Sequence, residues 1–122
     1  MNNIVNLGKV RKAREKAAMP PRSDELSFVA KRGKGGGFNY WSVEPTGSYQ
    51  ADCDAGAALA EEYLSFIGAH PTYGNGTLLS CIVRDMLDQA KDGRDWSGVH
   101  VGFLTGVNRF AMAAARIVEQ RQ

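Results

Sequence analysis

Cysteine is scarce in this sequence. Cys53 and Cys81 are the only two among 122 residues, and they do not form a C-x-x-C pair. Together with His70 and His100 they are the only soft ligands, and no two have zinc-site spacing, so no metal is expected. The thiols read as reduced, which implies a cytoplasmic setting. Long apolar runs are also missing. Nothing approaches the ~20 residues of a membrane span, and MNNIVNLGKVRKAREKAAMP has no continuous apolar block, so neither a membrane anchor nor a secretory signal is expected. Signatures of catalysis are wanting as well. No pair of carboxylates is specified as general acid and base, and Cys81 falls in an apolar helical stretch, where thiols are inert. These absences argue against an enzyme and against a cofactor. A Cys- or His-dependent activity is the weakest reading.

What is present is the composition of one globular domain, 43% hydrophobic and 9% aromatic. The net charge of +2 hides an asymmetry. Through Gly37 nine bases stand against three acids, whereas the remaining six bases face ten acids. A basic front joined to an acidic body implies a polyanionic or acidic partner at the front.

The front opens with a basic arm, residues 1–23, preceding a single α+β domain at 24–122. Ile4, Leu7 and Val10 give it a thin apolar stripe, its alanines favour helix, and Pro20-Pro21 ends it. Lys9, Arg11, Lys12 and Arg14 are its candidate ligand-binding residues. Next, ELSFVA (25–30) and FNYWSVE (38–44) read as two strands around KRGKGGG, a β-hairpin with a flexible basic finger. Lys31, Arg32, Lys34 and Tyr40 are the candidates there. The glycine cluster matches neither G-x-x-x-x-G-K-[ST] nor G-x-G-x-x-G. Trp41 is assigned to the core.

A helix follows from about Asp52 to Ile67, with Asp52 or Asp54 as cap and Gly68 as C-cap. A second runs from Thr77 to about Lys91, broadly apolar and stopped by Gly93. Gly74, Asn75, Gly76 and Thr77 before it form a possible anion site, where Arg84, Arg109 or Arg116 would contribute if the fold brought them near. The last helix spans Ser97 to Glu119 and is capped by Ser97 or Asp95. One arc carries Val99, Phe103, Leu104, Val107, Phe110, Ala111, Ala114, Ile117 and Val118. Val99, Val101 and Phe103 also alternate as a strand would, but the residues after them keep the helical period. Gly98, Gly102 and Gly106 share one flank of that helix. Each interior glycine costs about 1 kcal/mol relative to alanine, so three imply close approach of another backbone. That backbone is either the small-residue face of the 52–67 helix or a second copy, in which case the glycines form an oligomer interface.

In size, in its NIVNLGKVRKAREKA arm and in its hairpin-plus-helices plan, the chain resembles small accessory proteins encoded by phages and prophages. That resemblance implies a regulatory or anti-defence role. The expectation is a non-enzymatic, homo-oligomeric binder. Its partner would be nucleic acid, a nucleotide signal or a host nucleic-acid-binding protein, engaged through the arm and hairpin. A protein–protein inhibitor acting without nucleic acid is the alternative.

Overall fold

The computed structural model describes residues 22–91 and 95–121. Most of the arm, with Lys9, Arg11, Lys12 and Arg14, and Gly93 lie outside the described residues. The rest is an α+β arrangement of three helices and one small antiparallel hairpin. In chain order a 3-10 turn, Ser23–Glu25, leads into β1 (Ala30–Lys31) and β2 (Phe38–Asn39). Then come α1 (Tyr49–Ala69), a second 3-10 turn (Tyr73–Thr77), α2 (Leu78–Gln89) and α3 (Gly98–Gln120).

The hairpin is much shorter than the alternating pattern implied. Residues 25–29 are not a strand, because turn bonds from Leu26 N–H to Ser23 and from Val29 N–H to Leu26 use those backbone groups. Leu26, Phe28 and Val29 are all buried, so both sides of this segment are covered. β1 and β2 pair Ala30 with Asn39 and Lys31 with Phe38. The tip needs three successive glycines, Gly35, Gly36 and Gly37, all at positive φ, which only glycine adopts without strain.

α1 begins three residues before the expected cap. Asp52 sits inside the first turn, and its buried carboxylate accepts bonds from Thr46 N–H, Thr46 Oγ1 and Gly47 N–H. Those donors hold the carboxyl below its ordinary pKa. Gly68 is not a C-cap: it lies within α1, and His70 follows the helix end. Thr77 makes no side-chain cap either, and α2 starts at Leu78. α3 starts as read, on Ser97, and residues 98–104 are helical. Its cap is a box in which His100 stands where glutamate is usual, with Nδ1 accepting from Ser97 N–H at 3.0 Å. The other ring nitrogen therefore carries the proton and donates to Gln89 Oε1 at 2.9 Å. Trp96 stacks on the imidazole at 4.3 Å.

α1 and α3 run parallel in close contact, because the small residues of one meet the glycines of the other. A Cβ on Gly98 would lie 2.5 Å from Tyr49 O, and one on Gly102 would overlap the Cys53 carbonyl. A Cβ on Gly106 would lie 2.6 Å from that of Ala60, and Gly56 is pressed in turn against Val99 and Phe103 backbone. The glycine flank is thus filled by this chain's own α1. Gly98, Gly102 and Gly106 are not available as an oligomer interface. Beside this pair, Phe103 gathers Trp41 (5.1 Å), Phe28 (5.6 Å) and Tyr63 (5.7 Å) into an aromatic core. α2 closes it with Leu78, Ile82 and Met86.

Candidate functional site

Asp85 of α2 is the charged residue around which the hairpin is seated. It lies on the buried face with Leu78 and Ile82, its side chain 3% exposed. One carboxylate oxygen accepts the Tyr40 N–H at 2.8 Å, pinning the strand where it crosses the helix. The other faces Arg32 Nη2 at 3.4 Å and Arg84 Nε at 3.7 Å. Arg32 also donates from Nε to the Phe38 carbonyl, which ties the finger's base to its own far strand.

A second carboxylate repeats the arrangement at the hairpin's edge. Asp24 faces Arg22 at 3.4 Å and Lys31 at 3.9 Å, and the Arg22 guanidinium lies 5.5 Å above the Phe38 ring. Phe38 in turn meets Tyr40 edge-on at 5.9 Å. With Lys34 on the exposed tip, these cations form two small clusters, one at each carboxylate, joined through the consecutive residues Lys31 and Arg32. The four paired cations are 54–65% exposed, and their separations of 3.4–3.9 Å are long for charged hydrogen bonds. Such pairs contribute little to stability and leave donors free for an incoming anion. Around the tip, a Cβ at Gly33, Gly35, Gly36 or Gly37 would meet nothing within 4 Å, so the backbone there is open to close approach. The face is bounded on one side by a cleft of about 520 Å³ that carries Glu44 and Asp88 as well as Asp85. An anion is therefore favoured toward the tip and Arg22 rather than into that cleft.

Of the residues marked from sequence, Lys31, Arg32 and Lys34 are brought together here, with Tyr40 packed on Phe38 behind them. Arg32 is the most committed to the fold of the three. Arg22, at Asp24, is the functional candidate that sequence reasoning missed, and Arg84, offered by the sequence only for the anion site before α2, stands at Asp85 instead. Asp85 could have been found, since an acid in register with Leu78 and Ile82 breaks an otherwise apolar helix face. Arg22 left no comparable signal, because its place depends on the 3-10 turn that replaces the expected strand.

The structure joins two features that the sequence kept apart. Tyr40 lines a pocket of about 430 Å³ with Gly74, Asn75, Thr77 and Cys81. As an anion site this pocket is weak. Asn75 N–H and Leu78 N–H are spent on Thr72 and Asn75 carbonyls within the 3-10 turn, and the Asn75 side chain donates to His70 O. Arg109 is not among its lining residues. It borders a groove between α1 and α3 with Cys53, Asp54 and Thr105. His100 is fully buried in its cap, and the two cysteines line different pockets. Among the described residues, no group of three or more His, Cys, Asp or Glu is arranged to hold a metal ion. No known protein family, curated protein or solved structure matches this chain.

Proposed function

We propose that this chain is a non-enzymatic binding protein that engages a phosphate-rich partner, nucleic acid first among the candidates, through the basic hairpin face. The observation that carries the proposal is the set of exposed, loosely paired cations at two carboxylates, Arg22 and Lys31 at Asp24 and Arg32 and Arg84 at Asp85, beside an open glycine tip that bears Lys34. Phosphate contacts need exposed, loosely paired donors on a fixed base, and Asp85 supplies that base. Phe38 and Tyr40, half-buried against the core, place aromatic rings beside the cations, and rings next to basic residues are the combination that holds single strands by stacking. Basic residues of the arm would extend the contact. A regulatory or anti-defence role of phage accessory type is compatible with such a binder.

The test is fluorescence anisotropy with labelled single-stranded and duplex oligonucleotides over a salt series. Each phosphate contact removed lowers the log–log salt slope by about 0.7 on single strands and about 0.9 on duplex. Arg22→Ala, Lys31→Ala, Lys34→Ala and Arg84→Ala combined are expected to flatten the slope by about 3. Neutralising Lys9, Arg11, Lys12 and Arg14 is expected to flatten it further. Binding that ignores both salt and these substitutions rejects the proposal.

A further inference from the structure

His100 sits where α2, α3 and the segment after the hairpin meet, and both nitrogens of its ring are committed. Nδ1 accepts the Ser97 N–H at 3.0 Å and Nε2 donates to Gln89 Oε1 at 2.9 Å, while Gln89 Nε2 donates in turn to the Val43 carbonyl. One chain of bonds thus ties the entry of α3 to the end of α2 and to the segment that follows Trp41. The imidazole is fully buried, with the Trp41 ring at 5.8 Å and Trp96 stacked on it at 4.3 Å. Trp96, at 36% exposed, is the outermost of these neighbours. Among the described residues no charged side chain is bonded to the ring. Gln89 faces it from α2, Trp41 from the hairpin side, and Trp96 and Ser97 from the link between α2 and α3. Of the charged groups on those elements and on the first turn of α1, Asp52 and Asp85 are spent on bonds of their own, and Glu44, Asp88, Lys91 and Asp95 are exposed. Burial alone therefore holds the imidazole below its ordinary pKa of 6.5.

We infer that His100 is a proton-operated latch: a proton taken up at Nδ1 releases the Ser97 N–H and drives the ring out past Trp96, unfastening the link between α2 and α3 while the helix pair stays packed. The proton goes to Nδ1 because Nε2 already carries one. Nδ1 then turns from acceptor to donor and meets the Ser97 N–H donor to donor, so the cap loses one of its two reciprocal bonds. A buried imidazolium with no carboxylate against it is costly, and solvent is what relieves it. Trp96 is the side chain that gives way, since Trp41 is locked between Phe28 and Phe103. The opening stays local because α3 is held from Gly98 onward by backbone packed on α1. Gly98 lies on Tyr49 and Gly102 on Cys53, and neither contact involves the imidazole. What is freed is the entry at Trp96 and Ser97, a partial opening that leaves the core intact. Neutral solution keeps the latch shut and acid opens it. This inference is independent of the hairpin face and stands or falls without it.

The test is an acid titration of the ¹⁵N-labelled full chain followed by NMR. At neutral pH the ring nitrogens of His100 are expected to report the tautomer protonated at Nε2. As pH falls, the imidazole is expected to protonate in the folded chain with a midpoint below 6.5, and the Ser97 amide and Trp96 indole signals to move with that same midpoint. Amides of Tyr63, Ile82 and Phe103 in the core stay in place through it. His100→Gln, which keeps an acceptor for the Ser97 N–H, abolishes the transition at Ser97 and Trp96. Trp96→Ala raises the His100 midpoint toward 6.5, because the ring is then wetted without a lid to displace. Far-UV circular dichroism checks that each variant is folded at neutral pH, and the titration of the native chain decides the matter by itself. An imidazole that stays neutral until the whole chain unfolds overturns the inference. So does core movement at the same midpoint, a Ser97 transition that survives His100→Gln, or a midpoint that Trp96→Ala leaves unmoved or lowers.

Discussion

Consider Gly102→Ala, a change that adds one methyl group to a helix and by propensity alone should stabilise it by about 1 kcal/mol. The added Cβ would overlap the Cys53 carbonyl and come within 2.8 Å of the Cys53 carbonyl carbon and 2.9 Å of its Cα. These are backbone atoms of α1, with no rotamer to relax, so the helices must part along their whole contact. Overpacking of this kind costs about 1–3 kcal/mol, and the upper end applies where backbone is struck. The net expectation is a loss of about 2 kcal/mol, or about 1 M in the urea midpoint for a domain this size. Gly68→Ala is the internal control: it lies in α1, meets nothing within 4 Å, and should gain about 0.5 kcal/mol. Gly106 supplies the cycle, since its added Cβ would strike only that of Ala60, 2.6 Å away. Gly106→Ala is expected to be destabilising in the native chain and less so when combined with Ala60→Gly, with a coupling of at least about 0.5 kcal/mol. Urea denaturation at constant m reads all five variants, Ala60→Gly alone included. If Gly102→Ala is as stable as the native chain, the close parallel packing of α1 on α3 is refuted.

Two other predictions concern the hairpin seat and the α3 cap. Asp85→Ala removes the acceptor for Tyr40 N–H and two cations, and should cost about 2 kcal/mol. It should also speed exchange of the Tyr40 amide, read by hydrogen–deuterium exchange, and unchanged protection would count against Asp85 as the seat. Burial holds His100 below its ordinary pKa of 6.5, and its cap uses the neutral ring. As pH falls below 6.5 the unfolded chain takes up that proton first, so stability declines until the folded-state value is passed and then levels. His100→Gln keeps an acceptor for Ser97 N–H and should remove that decline from a series of denaturation midpoints between pH 5 and 8. A decline that persists in the variant would place its origin elsewhere.

Much of the architecture was legible because helical periodicity is a local property. The arc from Val99 to Val118 and the Gly98, Gly102, Gly106 flank specified α3, and the small residues of the 52–67 segment specified its neighbour. What local pattern could not supply was the use of backbone hydrogen bonds. Residues 25–30 alternate as a strand does, yet the N–H groups of Glu25, Leu26 and Val29 close turns, and Phe28 and Val29 are both buried because aromatic rings and helices cover the segment from two sides. Asp52 read as a cap before the helix. It acts from inside, since Thr46 and Gly47 fold back over it. The basic finger was visible as composition. Its pairing was not, because Arg32 meets Asp85 from 53 positions away in the sequence.

The central claim is that the hairpin face, and not the pocket before α2 or the far end of α3, receives the phosphate-rich partner. Titrating the ¹⁵N-labelled protein with a short single-stranded oligonucleotide and following each backbone amide tests this most directly. The account predicts saturating shifts at Gly33–Phe38 and at Arg22 and Arg84, fading as salt is raised. Shifts confined to Gly74–Leu78 or to α3, or none at all at low salt, would contradict it.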